Sequence, residues 1–183
     1  GGLGPVVGGA PEDTCKALRT AGYLGFSPIR RATKPIVGHA DDVLAGIDFA
    51  LAHEKADPNR LALLGFSRGG FLTFQAMTTR PDIAVGVVMA PAPVKGRLNQ
   101  TLPDAAKVEA ITLVLVAEND VPEVNNEGND HVATATAVAD ALTEAGKPVE
   151  LKIYPPFGTN GHNLFQQVGD YWTDIEAFLA EHL

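Results

Sequence analysis

A serine between two glycines has the clearest chemical signature in this sequence. Residues 65–69 follow the pattern G-x-S-x-G, with Ser67 at the centre. An apolar run precedes the pattern and a helical pattern follows it, which is the strand–turn–helix context in which such a serine acts as a nucleophile. The sharp turn would hold Ser67 in a strained conformation and project its hydroxyl beyond the sheet. We predict that Ser67 is a nucleophile, the alternative being an N-capping serine in a glycine-rich turn.

The neighbours of Ser67 have predicted roles in the same turn. Gly65 and Gly69 lack side chains, which would clash in so tight a bend. The backbone amide of Arg68 follows at the start of the predicted helix, where unpaired amides and the helix dipole favour negative charge. Arg68 is therefore predicted to donate one backbone hydrogen bond to a developing oxyanion.

A serine hydroxyl is a weak nucleophile unless a base takes its proton. His162 lies in a glycine-containing loop after a late strand, and such a loop can carry an imidazole over the carboxyl edge of a sheet. We predict that His162 is the base, the alternative being a locally hydrogen-bonded loop histidine. His131 is the second choice, because its loop borders the same region. The remaining histidines have the positions of helix-cap, surface or terminal residues: His39, His53 and His182.

An acidic residue must orient the imidazole of such a base. In this topology the acid lies between the serine and the histidine in the sequence. Asp120 follows the strand predicted at residues 111–117 and precedes a proline-containing turn. We predict that Asp120 is the acid, with Glu118 and Glu123 as alternatives. A solvated acidic loop without a catalytic role is the competing interpretation of this segment.

Alternating strand and helix patterns would position these residues. Apolar runs predict strands at residues 23–29, 61–66, 83–90 and 111–117, and an alternation of apolar and polar residues predicts one at residues 149–154. Apolar spacing and capping signals predict helices at residues 11–21, 41–55, 68–79, 130–145 and 164–183. Residues 94–109 are predicted to be mostly loop. The alternation predicts one α/β domain over residues 1–183, with a mostly parallel sheet and helices on both faces.

Composition and charge restrict the classes of function. The 183 residues are 45% apolar and 20% charged, which is ordinary globular usage. The net charge of −8 and the lack of a Lys/Arg cluster argue against a nucleic-acid partner. The longest apolar runs are too short to cross a bilayer as helices, so no membrane partner is expected. The single cysteine, Cys15, excludes an internal disulfide and a cysteine-based zinc site, and no metal is predicted.

The three candidate residues, in this order, resemble the α/β-hydrolase superfamily and in particular its dienelactone-hydrolase-like branch. The similarity covers most of the chain and is carried by residues 57–70 around the serine, 114–120 at the acid and 154–162 at the histidine. Residues 1–5 look like the oxyanion loop of that family. This implies that the backbone amide of Gly2 or Leu3 is a second oxyanion donor. Dienelactone hydrolases proper use a cysteine nucleophile, and Ser67 stands at that position here.

The resemblance implies a serine carboxylesterase that needs no cofactor and acts on small-molecule esters. Serine in place of cysteine points to general esters more than to dienelactones, and the short loops around the site imply small acyl groups. Two alternatives stay open. One is a small serine peptidase resembling the prolyl oligopeptidase family, whose serine motif also ends in two glycines. The other is a non-catalytic, hydrolase-like binding domain.

The start of the sequence leads to two further expectations. It carries no secretion signal, which favours a cytoplasmic location, although the chain begins at Gly1 and not at methionine, so secretion is left open. In the fold that this chain resembles, another strand lies between the strands predicted at residues 23–29 and 61–66. The glycine-rich residues 1–10 are unsuited to form it. We expect an upstream segment or a second chain to supply this strand; the alternative is a contracted sheet in which the two predicted strands pair directly.

Overall fold

The fold is built on a parallel β-sheet. The computed structural model describes residues 11–29, 31 and 36–183. Within them lie four strands, β1 (Ala62–Phe66), β2 (Val85–Met89), β3 (Ile111–Ala117) and β4 (Val149–Tyr154). Each strand pairs in parallel with the next, in the order β1-β2-β3-β4. The predicted mostly parallel sheet is confirmed, and β3 and β4 have the predicted bounds.

Helices connect and cover the strands. The described residues contain α1 (Pro11–Thr20), α2 (His39–Leu51), α3 (Arg68–Met77), α4 (Arg97–Thr101), α5 (His131–Glu144) and α6 (Trp172–His182). Short 3₁₀ helices lie at Val94–Gly96, Leu102–Lys107 and Gly161–Phe165. Helix α3 contacts β1 and β2, α5 contacts β3 and β4, and α6 contacts β2 and β3. No helix in the described part of the chain is long and apolar enough to cross a membrane.

The two central strands are covered on both faces. Every residue of β2 is buried, and so is all of β3 after Ile111. Successive side chains of a strand point to opposite faces, so complete burial requires packing layers on both sides of the sheet. The helices supply these layers with fully buried side chains, among them Phe71 and Phe74 of α3, Leu142 of α5 and Ile175 of α6. Helices on both faces are therefore present, as predicted.

Two segments in the second half of the chain differ from their predicted secondary structure. Residues 94–109 are predicted as mostly loop, but residues 94–107 form successive short helical turns, because Leu98 and Ala105 become buried when these turns close. The last long helix begins at Trp172, whereas the sequence predicts its start at residue 164. Gly169, a poor helix former, lies just before it and accepts a hydrogen bond from the Trp172 amide.

Residues 23–29, predicted as a strand, form no strand in the structure. The segment contains Gly25 and Pro28, which are unfavourable inside a strand, and Leu24 and Ile29 are 51% and 72% exposed. A strand also needs a hydrogen-bonded neighbour, and β1 pairs only with β2 among the described strands. The contracted sheet, in which this segment would pair with β1, is therefore wrong.

A groove of about 320 Å³ lies beside β1. Its lining includes every residue of β1 on one side and residues 24 and 26–29 on the other. The groove thus lies between the two segments that were expected to border a further strand. An additional strand at this edge, from an upstream segment or a second chain, stays a prediction.

Candidate active site

Ser67 occupies a strained turn between β1 and α3. Its backbone has φ 55° and ψ −116°, a region that non-glycine residues rarely adopt and that costs about 1–3 kcal/mol. Three hydrogen bonds hold it there: the Ser67 amide donates to the Met89 carbonyl at 2.9 Å, and the Ser67 carbonyl accepts from the amides of Phe71 and Ala92. The conformation is that of the sharp turn expected from the sequence, and it brings Ser67 to the carboxyl edge of the sheet, where open α/β folds bind their ligands.

Two glycines around Ser67 make this turn possible, but they are not the two that the sequence predicted, Gly65 and Gly69. A Cβ at Gly65 would overlap the carbonyl group of Gly69 and lie 2.5 Å from Thr73 Oγ1. A Cβ at Gly70 would lie 2.8 Å from the Met89 carbonyl oxygen. A Cβ at Gly69 would meet no described atom within 4 Å. The close approach of α3 to β1 therefore requires Gly65, its close approach to the end of β2 requires Gly70, and the steric role predicted for Gly69 is wrong.

Gly65→Ala is expected to destabilise the fold strongly, because the new methyl group would meet backbone that cannot move aside. Overpacking of this kind costs about 3 kcal/mol, and each kcal/mol lowers Tm by about 2–4 °C at this size, so a fall of roughly 6–12 °C is expected in thermal denaturation. Gly69→Ala is the matched control and should leave Tm unchanged or slightly raised, because alanine favours helix. Equal Tm values for the two variants would contradict the steric assignment.

His162 and Asp120 form a buried pair. His162 Nδ1 lies 2.7 Å from Asp120 Oδ2, and the two residues are 4% and 0% exposed. The other carboxylate oxygen, Oδ1, accepts a hydrogen bond of 3.0 Å from Asn125 Nδ2. Because an ionised carboxylate only accepts hydrogen bonds, Nδ1 of His162 carries the hydrogen and Nε2 is left with its lone pair. The imidazole is thus held in the tautomer that can accept a proton at Nε2.

Contacts between two loops bring this pair together. Asn119 Oδ1 accepts a hydrogen bond of 2.9 Å from the Phe157 amide, which ties the loop after β3 to the loop after β4. A Cβ at Gly161 would lie 2.6 Å from the Asp120 amide nitrogen, so the loops meet at a distance that only glycine permits. Asn160 Oδ1 accepts a 3.0 Å hydrogen bond from the His162 amide and caps the 3₁₀ turn. The positioning roles of these residues were not predicted from the sequence.

The base and the serine are neighbours through Phe66. The rings of Phe66 and His162 lie 4.7 Å apart between centroids, and Ser67 follows Phe66 directly. No hydrogen bond joins the Ser67 hydroxyl to His162 among the contacts of the described residues. Catalytic hydrogen bonds are often loose before substrate binds. The structure therefore brings the predicted base and acid into contact, and the ring of Phe66, the residue before the predicted nucleophile, packs against the base.

His131 and Glu127 surround the outer side of His162. The rings of His131 and His162 are stacked with centroids 4.2 Å apart, and His131 is fully buried. One Glu127 oxygen lies 3.6 Å from His131 Nε2 and the other 3.7 Å from His162 Nε2. The nearby imidazole of His131 is the main cause that lowers the pKa of Glu127 to about 2, against the opposing effect of desolvation. These contacts of Glu127 were not predicted from the sequence, because they form only in the folded chain.

The remaining candidate residues are the two alternative acids and the predicted oxyanion donors. Glu118 and Glu123 are exposed, and the carboxylate that contacts the base is that of Asp120, so the structure does not support these two alternatives. The amide of Arg68 lies at the first position of α3, where an oxyanion donor was predicted. Burial lowers the pKa of the Arg68 guanidinium, opposed by the charge of Glu127. Gly2 and Leu3 lie outside the described residues, so their oxyanion role stays a prediction.

Sequence comparisons relate the chain to two groups of hydrolases. The model of the prolyl oligopeptidase family matches residues 32–103, which include the serine motif. A protein of Methylorubrum extorquens named as a carboxymethylenebutenolidase is 26% identical over 178 residues, covering 82% of this chain. The chain spans 58% of the length of that relative.

Solved structures share the fold at low sequence identity. Dipeptidyl peptidase 4 of Porphyromonas gingivalis is similar over 79% of this chain, with a TM-score of 0.60 and 19% identity, and this chain spans 22% of its length. An acetyl xylan esterase of Paenibacillus sp. R4 is similar over 79% of this chain, with a TM-score of 0.58 and 17% identity, and this chain spans 52% of its length. The same fold thus carries a peptidase and an esterase.

Proposed function

We propose that this chain, which belongs to the α/β-hydrolase superfamily, is a serine hydrolase that cleaves carboxylic esters of small acyl groups. The observation that carries the proposal is the buried contact of 2.7 Å between His162 Nδ1 and Asp120 Oδ2, formed beside a serine in a strained turn. A pair of this kind is costly to bury, and its geometry leaves Nε2 of His162 free to accept a proton. This tautomer is the one a serine hydrolase requires.

The first half of the reaction follows from these positions. The Ser67 hydroxyl attacks the ester carbonyl while His162 Nε2 takes its proton, and Asp120 stabilises the imidazolium that forms. The carbonyl oxygen becomes an oxyanion, which the amide of Arg68 stabilises at the N-terminus of α3. His162 then gives its proton to the departing alcohol, and the acyl group stays on Ser67.

The second half returns the enzyme to its starting state. Water attacks the acyl group on Ser67, His162 Nε2 takes a proton from the water, and the carboxylic acid leaves as Ser67 regains its hydrogen. None of these steps calls for a cofactor. The preference for small acyl groups is inferred from the short segments that border the site, residues 91–107 and 121–129, and a small-molecule ester is the proposed partner.

A serine peptidase of the prolyl oligopeptidase type is the second candidate. The family match over residues 32–103 favours it, and so does the fold shared with a dipeptidyl peptidase. The same three residues would cleave an amide, because the acyl-enzyme chemistry differs only in the leaving group. The geometry of the Ser67, Asp120 and His162 side chains serves both reactions, so a substrate assay must separate them.

The test is a panel of p-nitrophenyl esters beside aminoacyl p-nitroanilides, with Ser67→Ala as the background in each assay. We expect hydrolysis of the acetate and butyrate esters well above this background, weak hydrolysis of the palmitate ester, and none of the anilides. A larger kcat/KM for an anilide than for any ester would establish the peptidase instead. Rates equal to those of Ser67→Ala on every substrate would contradict both.

A further inference from the structure

Asn125 is a buried asparagine on the loop between β3 and α5, in contact with the acid of the candidate site. It is 6% exposed. Its Nδ2 group donates to Asp120 Oδ1 at 3.0 Å and to the Asn129 carbonyl. Its Oδ1 atom accepts from the amides of Glu127 and Asn129, at 3.1 Å and 3.4 Å. An asparagine amide offers two donors and two acceptor positions, so the whole hydrogen-bonding capacity of this side chain is used.

The partners of Asn125 fix the orientation of its amide. An ionised carboxylate and a backbone carbonyl only accept hydrogen bonds, so the NH₂ group must face Asp120 and the Asn129 carbonyl. Backbone amides only donate, so Oδ1 must face the amides of Glu127 and Asn129. The flipped amide would bring like groups together at all of these contacts. Asn125 therefore presents a fixed donor to Asp120.

Side chains of other types would meet only part of this set of partners. An acceptor such as aspartate would serve the two loop amides, but the contact with Asp120 requires a donor. Leucine has neither group, and the hydroxyl of serine is carried on a shorter side chain. A buried polar group without a partner costs free energy, so such a network is favourable only when it is complete. The amide at residue 125 thus matches the acid as well as the loop.

The hydrogen bond from Asn125 restrains the carboxylate of Asp120. Asp120 is 0% exposed, so bulk water offers no substitute donor. Asn125 holds Oδ1, while Oδ2 accepts from His162 Nδ1 at 2.7 Å. Rotation of the carboxylate would break both contacts at once. Because the contact with Asp120 fixes the hydrogen of His162 on Nδ1, Asn125 acts on the base through the acid.

We propose that Asn125 is a positioning residue, which holds the Asp120 carboxylate in the orientation that accepts from His162 Nδ1. Without its donor, the carboxylate would turn more freely, and the imidazole would spend less time with Nε2 ready to take a proton. Because Asn125 is buried and acts through Asp120, the loss should appear in kcat and not in KM. This effect on catalysis rests on the proposed function, whereas the effect on the hydrogen bond between Asp120 and His162 does not.

The hydrogen bond itself is observed in the proton NMR spectrum, where a histidine N–H bonded to a buried carboxylate gives a signal at low field. We expect such a signal from the Nδ1–H group of His162 in the unmodified protein, assigned by its absence from His162→Ala. Asn125→Leu and Asn125→Ser should each move this signal to higher field or broaden it beyond detection. The matched controls, Asn126→Leu and Asn126→Ser, change the exposed neighbouring asparagine and should leave the signal in place.

Activity gives the second readout. Both Asn125 variants should lower kcat for p-nitrophenyl acetate by about 10–100-fold, the range that the loss of one hydrogen bond to a charged group implies, while KM changes little. Both Asn126 variants should have the kcat of the unmodified protein. A residue that only held the loop together would change the stability of the protein, but it would leave the low-field signal and kcat of a folded variant unchanged.

Two variants at residue 125 protect the test against a folding defect. Asn125→Leu fills the space without a donor, whereas the serine of Asn125→Ser can still accept from the amide two residues later, as serine does in turns. Circular dichroism shows which of the two folds, and one folded variant suffices. Failure of both to fold would make Asn125 a structural residue and overturn the proposal.

An unchanged low-field signal or an undiminished kcat in a folded Asn125 variant would also overturn the proposal, and so would absence of the signal from the unmodified protein. A signal that responds as expected, in a protein that cleaves no substrate, would support the positioning of Asp120 and contradict the proposed hydrolase function. The two failures are therefore distinguishable.

Discussion

Ser67→Ala is expected to reduce ester hydrolysis by about 10⁶-fold, the size of the loss when a serine protease is deprived of its nucleophile. The hydroxyl supplies the attacking atom, and nothing else in the turn can replace it. Alanine retains Cβ, so the positive φ of 55° at this position is as strained in the variant as in the original protein. The fold should therefore survive, and the loss should appear in kcat for p-nitrophenyl acetate.

The control for this prediction is Ser27→Ala, which replaces an exposed serine far along the chain from the turn. Its kcat should equal that of the unmodified protein. Circular dichroism and thermal denaturation of Ser67→Ala should match the unmodified protein as well. Activity of the folded Ser67→Ala variant within tenfold of the original would remove Ser67 from the mechanism.

Asp120→Asn is expected to lower kcat by about 10⁴-fold, the effect of the same change in a serine protease. Asn125 Nδ2 donates to Asp120 Oδ1 at 3.0 Å, so the amide oxygen of the variant should settle there. Its NH₂ group would then face His162 Nδ1 and donate to it. This forces the hydrogen of His162 onto Nε2, where it can no longer accept the proton of Ser67.

The matched control is Asp140→Asn on the exposed side of α5, which should leave kcat unchanged. The second change Asn125→Asp in the Asp120→Asn background offers a stricter test. A carboxylate at residue 125 prefers to accept from the NH₂ group, which would turn the amide oxygen towards His162 and recover part of the activity. A loss of less than tenfold in Asp120→Asn alone would show that another group orients the base.

The regular elements could be predicted where local signals decide them. β3 is a run of β-branched and leucine residues, and β4 alternates apolar and polar residues. Both have the predicted bounds because clear turn signals lie on either side of them. Residues 23–29 show the limit of this reasoning. Their composition is apolar, but a strand exists only where a neighbour supplies hydrogen bonds, and the neighbour of a parallel strand is distant in the sequence.

The candidate residues of the site could be chosen from the sequence, but not the residues that position them. Ser67, Asp120 and His162 follow from the order of motifs along a known topology. Their supports depend on contacts between loops, such as Asn119 with Phe157 and Gly161 with the Asp120 amide. Only the role of Asn160 could be read from the local sequence, because an asparagine side chain commonly accepts a hydrogen bond from the backbone amide two residues later and so caps a turn.

The identity of the nucleophile is tested most directly by labelling the folded protein with a fluorophosphonate probe and mapping the adduct by mass spectrometry. We expect one phosphonyl group per chain, attached to Ser67, and labelling that slows strongly in His162→Ala. A folded protein that stays unlabelled at Ser67, or that is labelled equally fast without His162, would contradict the assignment of Ser67 and His162 as nucleophile and base.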